Sequence, residues 1–156
     1  MRGDIQFIVG ETSLAIQRKI SLFNSFLAKE HELNSFLKTD FEDEPLHILE
    51  SEDNIIGEIN IQDYIISGLN DEFRKKTGKN LSAAELTNFA DTDGKFEKLS
   101  ELRREEKRIV AEISAMRKIN NELMNMVKTE ILEDAEELKR MRELEIDIPK
   151  DSPSSF

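Results

Sequence analysis

Apolar residues recur in steps of three and four along most of this chain. That is the spacing of one helical face, not the strict alternation of a half-buried strand. The first series runs Ile16, Ile20, Phe23, Leu27, Leu37 and Phe41, with Glu30 and Asn34 filling the remaining slots. Leu22, Phe26, Leu33 and Phe36 form a second stripe beside it. Two adjacent stripes make a face wider than a two-stranded seam, so this helix is expected to touch more than one neighbour. Its start is placed near Glu11 to Ser13 and its end near Thr39. Residues 1–10 stay open as a strand, an extension of the helix or loose chain.

The second series is Ile48, Glu52, Ile55, Ile59, Gln62, Ile66, Leu69 and Phe73. Proline is tolerated in a first turn and disrupts a helix interior. Pro45 therefore either opens a second helix capped by Asp43 or Glu44, or kinks one very long helix. The Ile-rich run from Ile55 to Ile61 reads as β by propensity. The four-three spacing nevertheless persists through it to Phe73, and Thr77-Gly78 then supplies a C-terminal stop.

The connection contains Ser82-Ala83-Ala84-Glu85, a capping box that opens a short helix. Asp91-Thr92-Asp93-Gly94 ends it and caps the last helix. There Leu99, Leu102, Glu106, Ile109, Ile113, Met116, Asn120, Leu123 and Val127 hold the spacing without a slip, and a shifted stripe of Ile131, Leu138 and Met141 carries it to about Leu144. No Gly or Pro falls between Gly94 and Pro149. Such a helix is roughly 75 Å long. It is too long to be covered throughout by a domain of this size, so part of it must project or pair with something else. The predicted fold is all-α, an elongated antiparallel helical bundle or coiled coil of about three long helices with one short connecting helix. One domain spans 1–146, with helices at roughly 11–39, 44–77, 83–90 and 94–145. The Pro- and Ser-containing tail 147–156 is expected to be disordered.

Composition narrows the functional classes. The 156 residues hold 22 Lys plus Arg against 33 Asp plus Glu, for a net charge of −11. Binding to nucleic acid or to an anionic membrane needs clustered Lys and Arg, so neither is expected. With no cysteine, there is no disulfide framework, thiolate zinc site or cysteine nucleophile. No apolar run is long enough to span a bilayer, and the opening MRGDIQFIVGET lacks the form of a signal peptide. A cytoplasmic location follows as the default expectation.

Catalytic and metal motifs are weak. Glu44-Pro45-Leu46-His47 has the Glu-x-x-His spacing of di-iron bundles, but no second copy exists and His31 lacks the spacing. With Gly94 at position six of a calcium loop, positions one and twelve fall on Phe89 and Ser100, neither of them a suitable ligand. No phosphate loop or nucleophile elbow is present. The expectation is a protein without catalytic residues, cofactor or metal. Asn120-Asn121 is more informative, because Asn120 falls on the core stripe. It is either a register device against another helix of the chain or a group that a partner satisfies. Met116, Met124 and Met126 nearby are flexible enough to fit several apolar shapes.

Two segments carry a family resemblance. Lys29-Glu30-His31-Glu32-Leu33-Asn34-Ser35-Phe36-Leu37-Lys38-Thr39-Asp40 is similar to an early Glu-rich segment, and Lys98-Leu99 through Ile113 with Ile119-Asn120-Asn121-Glu122-Leu123-Met124 is similar to a long last helix with paired Asn. Over residues 12–132 the chain resembles the FlgN family of flagellar export chaperones. It departs from that family at Pro45, at the acidic pair Glu52-Asp53, and in having Tyr64 as its only tyrosine rather than one in the C-terminal part.

The resemblance implies a type III export chaperone that binds the C-terminal amphipathic segment of flagellar hook-associated (hook–filament junction) proteins. An export-gate component is a second candidate partner, although no gate-docking residue carries over. On that reading the contacts are Ile119, Asn120, Leu123, Met124, Val127 and Ile131. A charged residue placed at Leu123 and Val127 is expected to abolish client binding while leaving the fold helical. The alternative is a structural coiled coil that self-associates through the same stripe. The expected oligomeric state is a monomer or weak homodimer.

Overall fold

The computed structural model describes residues 2–39, 45–82 and 94–146. Three helices account for nearly all of them: α1 at Arg2–Leu37, α2 at Leu46–Thr77 and α3 at Lys95–Ile146. The architecture is the all-α elongated bundle expected from the four-three spacing. Both α2 and α3 pack on α1, which is why α1 needs two apolar stripes. Consecutive helices are antiparallel, so α1 and α3 run the same way.

One boundary differs from expectation. Helix α1 begins at Arg2 rather than near Glu11, because Ile5, Ile8 and Val9 are needed as core. They are buried with Ile16 against Phe73, Leu81, Phe96 and Leu99. Packing supplies what Gly3 and Gly10 subtract from helix propensity. At the other end, Lys38 and Thr39 donate backbone bonds to Ser35 and Phe36 and close the helix.

Pro45 breaks the chain into two helices instead of kinking one. It occupies the N-cap of α2 without a side-chain cap bond, and its carbonyl accepts from the backbone N–H groups of Ile48 and Leu49. The Ile-rich run is helical. Gly78 ends α2 in the left-handed conformation at φ 75°, donating its N–H to the Arg74 carbonyl; L side chains rarely adopt that backbone geometry. The capping box beyond Ser82, the short helix 83–90, the Asp91–Asp93 cap, Phe41, Glu44 and the tail 147–156 all lie outside the described residues.

Three apolar layers stack along the bundle. The first is the Ile5–Phe73–Leu99 cluster, joined by half-buried Ile66 and Leu69. The second groups Phe26, Ile109 and Ile113 with Phe23, Leu27 and Ile55. The third groups Leu33, Leu37 and Ile48 with Phe36, Leu49, Leu123 and Met124. Charged and amide side chains occupy the slots between them.

Candidate partner-binding strip

Between the first two layers, the Lys19 ammonium lies 2.6 Å from Asp63 of α2 and 3.1 Å from Glu106 of α3. It also sits 5.6 Å from the Phe23 ring centroid. Burial alone would favour the neutral amine, but the two carboxylates outweigh it and raise the pKa of Lys19. One cation on the central helix thus ties both outer helices to it.

Between the second and third layers, Asn120 is buried on α3. Its Nδ2 donates to the Glu30 carbonyl at 2.8 Å and to Glu30 Oε2 at 2.7 Å, while its Oδ1 accepts from Asn34 Nδ2 at 3.0 Å. Glu52 of α2 joins this layer, only 6 % exposed, with its Oε1 lacking a hydrogen-bond partner. Burial and the neighbouring Glu30 carboxylate push its pKa up to about 7, with Asp53 adding to the effect and Arg117 opposing it. Arg117 Nε stands 3.8 Å from Glu30 Oε1.

The six residues expected to meet a partner divide according to this geometry. Asn120 is 1 % exposed and its amide is satisfied by α1, which corrects its place among the partner contacts: it is the register device. Leu123 and Met124 pack on the third layer, and Val127 is half-buried. Ile119 and Ile131 are open, at 46 % and 60 % exposed.

Beyond Val127, α3 outruns its companions. Every residue from Lys128 to Leu144 is exposed, among them Ile131, Leu132, Leu138, Met141 and Leu144. The bare strip therefore shares only Ile131 with the predicted contacts and runs on from it towards the C-terminus. Leu132 and Leu144 belong to it but fall outside the four-three series. The polar layers were partly visible as Glu30, Glu52 and Asn120 in core slots; Lys19 falls outside the series and gave no such signal.

A second exposed apolar group, Ile56, Ile61 and Ile65, lies on α2 with Tyr64 beside it. His47 is also at the surface, with Nε2 3.9 Å from Glu32. Among the described residues no three His, Asp or Glu side chains are grouped to hold a metal ion, and no helix is long and apolar enough to cross a membrane. The chain matches no protein-family model, no curated protein and no solved structure.

Proposed function

We propose that this chain is a cytoplasmic, non-enzymatic export chaperone of the FlgN type. Its client is the C-terminal amphipathic segment of a flagellar hook-associated protein, which it shields from premature assembly and delivers for export. The observation that carries the reading is the uncovered end of α3, where Ile131, Leu138 and Met141 stand at 53–60 % exposure with no helix among the described residues against them. An apolar stripe on a helix is stabilised when a second amphipathic helix removes it from water. A client with an assembly-competent apolar face has the same need, so each covers the other. The surplus of acidic residues keeps such a complex soluble.

The test is calorimetric titration of a hook-associated protein's C-terminal segment into the wild-type chain and a Leu138→Glu, Met141→Glu double variant. Binding to the wild type alone, with unchanged helicity in both chains, supports the proposal. Equal binding by both, or by neither, refutes it.

A further inference from the structure

The bare end of α3 carries an ordered pattern of charge. At 3.6 residues per turn, Ile131, Leu138 and Met141 mark the apolar stripe and Asp134 occupies its vacant slot. Glu130 and Glu137 lie along one edge of the stripe. Lys128 and Arg142 lie along the other, with Lys139 just behind them. All six charged residues are exposed. None is held in an ion pair with another described residue. An acidic edge and a basic edge thus flank one seam, the placement by which charged edges of helical seams choose partner and direction.

This pattern disfavours a second copy of the same chain. A parallel copy would pair Glu137 with Arg142 at the exposed edges. It would also set Asp134 beside its own counterpart inside the seam, and burying two carboxylates together costs more than exposed ion pairs return. An antiparallel copy would lay Glu130 and Glu137 against the same acidic edge and the basic edges against each other. Two chains each of net charge −11 add a general repulsion to either arrangement.

Resting on the chaperone reading above, we infer that the strip takes a heterologous amphipathic helix bearing cationic residues along one edge of its apolar seam and anionic residues along the other, and excludes a second copy of this chain. The cationic edge of the guest faces Glu130, Asp134 and Glu137, and its anionic edge faces Lys128 and Arg142. The guest's own charge order then decides whether it lies parallel or antiparallel to α3.

Three synthetic helical peptides sharing one four-three apolar seam test this by calorimetric titration into the full chain. One has a Lys edge and a Glu edge, one has two Glu edges, and one has two Gln edges. The mixed peptide is expected to bind roughly five- to tenfold more tightly than the all-Glu peptide, an advantage that shrinks as salt is raised. A Glu130→Lys, Asp134→Lys, Glu137→Lys variant should reverse the order. In sedimentation the wild type should remain monomeric, while Asp134→Leu gains a concentration-dependent dimer. Equal affinity for the mixed and all-Glu peptides overturns the charge inference and leaves the chaperone reading standing. So does a wild-type dimer that Leu138→Glu abolishes. Failure of all three peptides, the Gln-edged one included, removes the strip as a docking face and the chaperone reading with it.

Discussion

Asn120 of α3 donates to the Glu30 carboxylate of α1 across 2.7 Å, joining residues 90 positions apart in the chain. The same amide nitrogen also reaches the Glu30 backbone carbonyl. A one-turn slip of α3 along α1 would separate all of these groups and leave them buried without partners. Burying an amide without its bonds is destabilising, so the contact holds the helices in one register.

Asn120→Ala should therefore destabilise the fold by about 1–3 kcal/mol, because Glu30 and Asn34 lose their partner inside the bundle. Urea unfolding followed by circular dichroism measures this. Asn121→Ala, one residue on and exposed, is the control and should lie within about 0.5 kcal/mol of wild type.

Glu52 makes that layer sensitive to pH. Its folded-state pKa of about 7 lies above the ordinary glutamate value of 4.5. A raised carboxyl pKa means that the folded state holds its proton more tightly than the unfolded chain does. The associated stability is complete below about pH 4.5 and is lost as pH rises through about 7. Glu52→Gln should remove this dependence and be more stable than wild type at pH 8 by an amount on the order of 1–3 kcal/mol. The difference between the two chains should shrink by pH 5. Parallel unfolding midpoints across that range would refute the assignment.

Lys19 should behave as the linchpin of the other polar layer. Lys19→Ala leaves Glu106, whose side chain is 17 % exposed, facing Asp63 without a cation between them. A loss of about 1–3 kcal/mol is expected, below the usual figure for a fully buried pair because Asp63 remains half in water. Removing Glu106 as well (Lys19→Met with Glu106→Leu) should recover much of that loss. A double variant no more stable than Lys19→Ala would count against the bridge.

The core of this bundle was largely readable because four-three spacing is repeated in every helix. The series of α2 from Ile48 to Phe73 and that of α3 from Leu99 to Val127 are buried or half-buried at every position. The start of α1 was not readable, because Gly3 and Gly10 dilute local propensity and only contact with Phe73, Phe96 and Leu99 makes the segment helical. Lys19 escaped for the opposite reason, since a lone charge outside the series resembles any solvated residue until Asp63 and Glu106 come from two other helices. Asn120 was recognised as special, but spacing alone cannot tell an amide satisfied within the chain from one awaiting a partner. That distinction needs the position of Glu30.

The uncovered end of α3 separates stability from binding, and a pair of substitutions can show it. Leu123 packs on Leu33, Leu37 and Ile48, whereas Leu138 is 57 % exposed beyond the end of the bundle. Leu123→Glu forces a carboxylate against an apolar layer and should destabilise the fold by about 2–4 kcal/mol. It is thus a poor probe of client binding, because lost affinity would be confounded with lost structure. Leu138→Glu should leave unfolding within about 0.5 kcal/mol of wild type, since no helix among the described residues covers that position. If thermal unfolding fell equally in both variants, the end of α3 would have to be covered in solution by the chain itself or by a second copy. An unchanged melting transition in Leu138→Glu, together with lost affinity for the client segment, is the combination that only an externally used strip predicts.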